Sequence, residues 1–361
     1  MRATIIDVAR EAGVSTTTVS HVLNGTRTVA EPTKQRVLAA IELLNYEVNS
    51  LAQSLKSDRS QTIGLLVTDI SNPFFTSLVR GVEDIANAAG YSVMLCNTDE
   101  NSEKEHTYLR MLRRKRVDAI LMAPTGVRQP LVDQLMGLGF PLVCFDRTTS
   151  GTTCDSVLVD NVGGAFQAVS HLIELGHRRV GVITGLSGVG TTNERLEGYM
   201  QAMADRGISV SQELVRVGNS RLDGGFREML ALLDLPVPPT AVFTTNNLTT
   251  LGALGALNSR QVAVPDDMAI VGFDDFEWAA VLRPRVTAVA QPTYEIGETA
   301  TRMLIDRIEG RGGPEPRRVV LPTRLIVRES SGAGGSSHSA ELEDIFGRPR
   351  VHVADVQVSA R

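Results

Sequence analysis

Cysteine is scarce: Cys96, Cys144 and Cys154 are the whole complement of this 361-residue chain. The set is odd in number and scattered, without zinc-site or redox spacing, so a disulfide framework is excluded and three reduced thiols are expected. Long apolar runs are missing too. None reaches the length of a membrane span, and the N-terminus "MRATIIDVAREAG" lacks the apolar core of a signal peptide. A soluble, cytoplasmic protein without a membrane partner is expected. Positive charge is not in excess, with 36 Lys and Arg against 41 Asp and Glu, a net charge of −5. That weighs against a histone-like, unspecific nucleic-acid binder but leaves room for one small reading head on a neutral body.

Signs of catalysis are equally thin. His171 and His177 have no metal partner at useful spacing, and no Ser or Cys sits in a nucleophile motif. "GLSGVGTT", Gly185 to Thr192, nearly spells a phosphate loop, but Thr191 stands where the essential lysine belongs. Neither an enzyme nor a cofactor or metal is expected.

Hydrophobic residues at 42% and charged ones at 21% are ordinary for a globular protein, and the length predicts two or three domains. Residues 1 to 47 read as three short helices. In "TIIDVAREAG", Thr4 is the N-cap, Ile5, Val8, Ala9 and Ala12 form one apolar face, and Gly13 is the stop. Ser15 caps a second helix that Asn24-Gly25 ends. "EPTKQRVLAAIELLNY" is the third, with Pro32 in its first turn and Val37, Leu38, Ile41 and Leu44 as an inner stripe. A polar linker, "EVNSLAQSLKSDRS", follows at about 48–60, with a helical patch from Ser50 to Leu55.

Beyond the linker the pattern changes. Runs rich in Val, Ile and Leu recur: "TIGLLVTDI", "YSVMLCNTD", "DAILMAP", "PLVCFDR", "RRVGVITG", "TAVFTTN" and "MAIVGFDD". Helical stretches, for example Leu78 to Ala89 and Ala165 to Leu175, separate them. The alternation predicts right-handed βαβ units and an α/β core of two parallel sheets. From about 333 to 361 the chain is Gly/Ser-rich and then charged, and a mostly disordered tail is expected.

One stretch breaks a local rule. In "VSTTTVSHVLNG" three threonines open the second helix, although their branched Cβ makes them mediocre helix formers. Two helices joined through a Gly-containing turn and braced by a third form a helix-turn-helix. Its second helix lies in the DNA major groove, where short hydroxyl side chains let the backbone come close and hydrogen-bond base edges. Ser15 and Thr18 can also meet phosphates at the helix N-terminus.

The stretch "ATIIDVAREAGVSTTTVSHVLNGTRTVAEPTKQRVLAAIELLNY" resembles the DNA-binding head of the lactose-repressor family, and is especially similar to its purine and ribose repressors. "QTIGLLVTDISNPFF", "ELGHRRVGVITG", "AIVGFDD" and "RLIVRESS" carry the resemblance to about residue 331. It implies that Thr16, Thr17 and His21 read bases, with Thr4, Ser15, Thr18 and Asn24 beside them at the DNA. "SLAQSLKS" is similar to the family's hinge helix, which implies that Ala52, Leu55 and Lys56 meet the minor groove, Leu55 as the wedge. The resemblance also implies a homodimer on a pseudo-palindromic double-stranded operator. The core should then be a two-subdomain fold like periplasmic binding proteins, spanning 61–332. Its first subdomain should comprise about 61–161 and 291–321, and its second about 162–290 and 322–332. The crossovers between them are expected near Val159 to Gly163, Ala290 and Pro322.

In open parallel sheets, ligands sit outside the carboxyl ends of the strands. The residues there are Asn72, Phe74, Phe75, Asp146, Arg147, Arg195, Asn246, Asp274 and Gln291. Planar hydrogen-bonding groups beside two aromatic rings suit a small polyol. A lone Phe at such a junction is often simply core, and Asp146 next to Arg147 could be a surface ion pair. The core is also similar to periplasmic ribose-binding proteins, which implies that these nine positions contact sugar. Ser220 stands where those proteins have a third stacking Phe, so ribose itself is the less enclosed. Val189 stands where purine-binding relatives carry an Arg, which argues against a purine effector. A periplasmic transport protein would explain the core but not residues 1 to 58.

Overall fold

The computed structural model describes residues 3–24, 27–46, 59–149, 151 and 153–334. The hinge positions Ala52, Leu55 and Lys56, and the tail from 335 onward, lie outside the described residues. The chain divides into two compact units, Met1–Ser60 and Gln61–Arg361.

The first unit holds α1 (Ile5–Glu11), α2 (Thr16–Asn24) and α3 (Glu31–Leu43). Thr4 and Asp7 form a reciprocal cap: the Thr4 hydroxyl accepts from the Asp7 amide, and the Asp7 carboxylate accepts the Thr4 amide at 2.9 Å. Gly13 then turns the chain at φ +63°, a conformation that side chains resist. Val8, Ala9, Ala12, Val19, Val37 and Ala40 form the core, with Ile5, Ile41 and Leu44 packed against it. The inner stripe of α3 differs from expectation at one position, because Leu38 is 42% exposed and Ala40 is buried. Ala40, Ile41 and Leu44 follow Val37 at three, four and seven residues on one face, whereas Leu38 lies about 100° around the helix.

The second unit is built on two six-stranded sheets. The first has the order β11-β5-β4-β3-β1-β2. Its strands are β1 (Thr62–Val67), β2 (Ser92–Asn97), β3 (Ala119–Met122), β4 (Leu142–Phe145), β5 (Asp155–Val159) and β11 (Arg318–Leu321). The second has the order β12-β10-β9-β8-β6-β7. It contains β6 (Val180–Thr184), β7 (Val215–Val217), β8 (Ala241–Thr244), β9 (Ala269–Phe273), β10 (Thr287–Ala290) and β12 (Arg324–Ile326). Pairing is parallel throughout except between β10 and β12. The two orders match place for place, so the unit is one architecture used twice. The seven apolar runs became β1 to β4, β6, β8 and β9, while β5, β7, β10, β11 and β12 came in addition. β7 and β12 are edge strands of three residues, too short to show a pattern.

Helices cover both faces of each sheet, which is why the central strands are apolar on both sides. On the first sheet α4 (Pro73–Ala88) and α11 (Thr293–Ile308) take one face and α5 (Ser102–Arg114) and α6 (Pro130–Gly137) the other. On the second, α7 (Asn161–Glu174) and α8 (Gly190–Asp205) lie opposite α9 (Leu222–Leu233) and α10 (Asn247–Ser259). α4 and α7 start earlier than their apolar spacing indicates, because Asn72 and Asp160 cap them with side-chain oxygens. α4 and α11 cross so closely that a Cβ on Gly297 would lie 2.2 Å from the Leu78 carbonyl oxygen. Asp155, at the start of β5, has a side chain only 1% exposed and is paired with Arg307 at 2.7 Å and Arg317 at 3.0 Å. Burial pushes its carboxyl up, but hydrogen bonds from the two arginines outweigh that and hold it below the ordinary carboxylate range.

The chain passes between the sheets three times. It leaves the first from β5 into α7, returns from β10 into α11, and leaves again from β11 into β12. These passages bring the carboxyl ends of the two sheets to face one another across a cleft.

Candidate ligand cleft and nucleic-acid interface

In the three-helix unit the hydroxyls divide into two kinds. The Ser15 hydroxyl accepts the Thr18 amide at 3.1 Å and shares a hydrogen bond with the Thr18 hydroxyl at 2.9 Å, so this pair caps α2. Thr4 is likewise tied to Asp7. Thr16 and Thr17 are exposed at the start of the same helix, and His21 is half-buried one turn on. Asn24 is the last residue of α2. Two of the three threonines that weaken this helix, Thr16 and Thr17, therefore stand on its surface, while Ser15 and Thr18 hold its N-terminus.

In the core unit, all ten ligand positions expected from the sequence line one cavity of about 640 Å³, counting its space open to solvent. Each half of the cleft is organised around a buried arginine.

On the first-sheet side, Asp146 is the residue directly past β4, at φ +64°. The Arg147 side chain is only 7% exposed, so its pairing with Asp146 at 2.9 Å is no surface contact. The same guanidinium donates to Glu100 at 2.9 Å and to the Thr68 hydroxyl at 3.3 Å. Burial alone would lower its pKa, yet the two carboxylates outweigh burial and push it above the ordinary arginine value. Asn72 caps α4 and also accepts from the Asn247 amide of α10 at 2.9 Å, a link across the cleft. Phe74 and Phe75 meet edge to face at 5.0 Å. They belong to the core cluster and line the cavity at once.

On the second-sheet side, Asp274 is the residue directly past β9, at φ +70°. Arg195, in the second turn of α8, donates to the Asn161 amide oxygen at 2.8 Å and the Thr245 carbonyl at 2.7 Å. It reaches Asp274 only at 3.5 Å, and its guanidinium lies 3.9 Å from the centre of the Phe273 ring. Gln291 donates to the other oxygen of Asp274. Burial is the main influence on the Asp274 carboxyl and raises its pKa, with Asp146 pushing the same way; Arg195 and Gln291 pull it back only in part. Asn246 caps α10 and donates to the Ser220 carbonyl at 3.1 Å. Ser220 sits at φ +57° after β7. The amide oxygens of Gln291 and Asn247 are buried without a hydrogen-bond partner among the described residues. Gln291 lines the cavity, so its oxygen can accept from a hydroxyl placed there, whereas Asn247 is not among the lining residues.

The residues missed include Asp69, Asp99, Glu100, Thr191, Thr192 and Arg221. Asp69 and Asp99–Glu100 follow β1 and β2, so the strand-end rule applied to every strand finds them. Asp69, Asp99, Glu100, Asp146 and Asp274 outnumber Arg147, Arg195 and Arg221, so the cavity is acidic. The former phosphate-loop candidate supplies Thr191 and Thr192 in the first turn of α8, whereas Val189, its N-cap, is not among the lining residues. His171 and His177 hydrogen-bond Ser331 and Thr240, each at 2.9 Å, and burial lowers both their pKa values.

No helix among the described residues is long and apolar enough to cross a membrane. Residues 4–49 match the family described as bacterial regulatory proteins, lacI family. Residues 169–331 match a periplasmic binding protein-like domain. The HTH-type transcriptional repressor PurR of Photobacterium profundum is 38% identical over 91% of this chain and 98% of its own. A lacI family regulator from Enterococcus faecium, solved with bound ribose, is 31% identical with a TM-score of 0.68, over 74% of this chain and 98% of that one. The lac repressor dimer bound to operator and an anti-inducer is 25% identical with a TM-score of 0.82, over 92% of this chain and 99% of that one. With the helix-turn-helix at one end and the strand-end cleft in the core, the chain belongs to the lacI family of bacterial regulatory proteins and is a DNA-binding transcriptional repressor, not an enzyme.

Proposed function

We propose that the effector of this repressor is a small uncharged sugar of pentose or hexose size, held in the core cleft and controlling operator affinity. The observation that carries the reading is the convergence of Asp146, Arg147, Arg195, Asp274 and Gln291 with Phe74 and Phe75 on one cavity. Carboxylates and guanidinium groups clamp hydroxyls by charge-assisted bonds, and ring faces stack on sugar C–H groups. The acidic excess disfavours a phosphorylated effector. The unpartnered acceptor on Gln291 calls for a hydroxyl donor. The ribose-bound relative supports the class; Ser220, standing where periplasmic ribose-binding proteins have a third stacking Phe, leaves the ring less enclosed. A purine effector is the second reading, favoured by the similarity to PurR. Val189 stands where the resemblance places an Arg in purine-binding relatives, and the lack of that side chain argues against this reading.

At the DNA, Thr16, Thr17 and His21 read base edges, while Thr4, Ser15, Thr18 and Asn24 flank them at the backbone. Two chains pair and meet a pseudo-palindromic site in the cytoplasm, and Ala52, Leu55 and Lys56 of each enter the minor groove between the half-sites. The hinge is too short to be a stable helix alone, so its folding depends on dimer contact and DNA. A sugar that favours one arrangement of the two subdomains then shifts operator affinity by its differential affinity for the two.

The test is fluorescence anisotropy of a labelled palindromic duplex from the protein's own promoter, with and without D-ribose and a panel of other sugars. Tight binding that one sugar changes is the expected result. Tight binding that no sugar changes overturns the effector assignment. Leu55→Ala should weaken operator binding and spare sugar affinity, and Arg195→Ala should do the reverse.

A further inference from the structure

Cys144 and Cys154 are ten residues apart in sequence, yet their sulfurs lie 2.9 Å apart in a thiol–thiol hydrogen bond. Cys144 is in β4, level with Ser156 of β5, and Cys154 stands just before β5 on the neighbouring strand. A disulfide joins sulfurs at about 2.05 Å, so closing this pair takes a shift of less than about 1 Å. The two thiols are not equivalent. Cys144 is 2% exposed inside the cluster on the outer face of the first sheet. Cys154 is 9% exposed and lines a second cavity of about 970 Å³, open to solvent, between the start of β5 and the loop that follows α11. Small oxidants therefore have a way to Cys154 and none that is comparable to Cys144. The hydrogen bond to Cys144 also holds the Cys154 thiol below its ordinary pKa, while the contact and burial raise that of Cys144. Cys96, the remaining thiol, is buried on β2, with its pKa raised by burial. It serves as an internal control.

We propose that Cys154 and Cys144 form an oxidisable dithiol, with Cys154 the thiol that a peroxide oxidises and Cys144 the thiol that resolves the product. In the first step the Cys154 thiolate attacks one oxygen of hydrogen peroxide. The O–O bond breaks, hydroxide leaves and Cys154 becomes a sulfenic acid. In the second, the Cys144 sulfur attacks the Cys154 sulfur, the S–O bond breaks, and the thiol proton with the departing hydroxyl forms water. Two thiols and one peroxide yield one disulfide and two waters, and a small dithiol reverses the reaction by exchange. The bond would cross-link β4 to the strand beside it, two residues ahead of Asp146.

The experiment treats the reduced full-length chain with equimolar hydrogen peroxide, followed by thiol titration under denaturing conditions and mass mapping. Proteolysis after arginine cuts at Arg147, so an internal disulfide appears as two peptides held together. The expected result is loss of two of the three thiols, a linked Cys144–Cys154 peptide, and full recovery with dithiothreitol. Cys154→Ser should abolish the loss at this dose. Cys144→Ser should leave a sulfenic acid at Cys154 that a cyclic dione traps. An oxidised wild-type chain without the linked peptide, or one in which Cys96 reacts first, overturns the proposal; this readout does not depend on either variant folding.

Discussion

Phe145–Asp146 leaves the first sheet from β4, and Phe273–Asp274 leaves the second from β9, at matching places in the two strand orders. Both aspartates take left-handed backbone conformations, and both reach a buried arginine. The surroundings then diverge. Arg147 meets two carboxylates at 2.9 Å, Asp146 and Glu100, and is held by charge. Arg195 is held by neutral oxygens and an aromatic face, with its carboxylate at 3.5 Å. One half of the cleft is thus a closed ion-pair network, and the other is a set of groups that a ligand can re-partner at small cost.

Four experiments test that contrast. The largest effect is expected from Arg147→Ala, which strands two buried carboxylates; a loss of about 3–5 kcal/mol should appear as a lower urea midpoint. Arg195→Ala should cost roughly 1–3 kcal/mol on the same scale, since it mostly strands neutral acceptors. Its main effect should be on binding of the sugar proposed above, which calorimetry should find more than tenfold weaker. Equal stability losses in the two variants would erase the distinction between the halves.

A third test uses pH. The pKa of Asp274 is raised in the folded chain, so the folded state holds that proton more tightly than the unfolded one. The group costs nothing below its unfolded pKa, and its full cost is present above its folded pKa. Asp274→Asn should therefore gain on the wild type as pH rises through that window, read as paired thermal melts. Sugar affinity of the wild type should fall as acid protonates Asp274, starting at a higher pH than for an ordinary carboxylate. The smallest effect is expected from Ser220→Gly, which relieves a positive φ. The melting temperature should rise by the equivalent of about 1 kcal/mol or less.

Much of this was legible in the sequence because it rests on local rules. Caps at Thr4 and Ser15, the turn at Gly13 and the strand-end positions all follow from a few neighbouring residues. What escaped depends on partners far along the chain. Glu100 is reachable by the strand-end rule, but its pairing with Arg147 spans 47 residues and no local pattern announces that partner. β5 begins with Asp155 and Ser156, polar residues that are buried because Arg307 and Arg317 come back to meet the first of them. The cysteines looked scattered because thiol spacing motifs describe loops and helices, and adjacent strands can bring any two positions together. Leu38 was misplaced by counting apolar residues without their angles.

The segment Arg318–Ile326 supplies one of the two outermost strands of each sheet, β11 to the first and β12 to the second. During synthesis the first sheet is begun at Thr62, yet it lacks its β11 edge until the ribosome has added roughly 260 further residues, on the order of 10–50 s at ordinary elongation rates. Over that interval the three-helix unit is already complete while the core unit is not. A message truncated just before Arg318 would release a chain with its three-helix unit whole and each sheet one edge strand short.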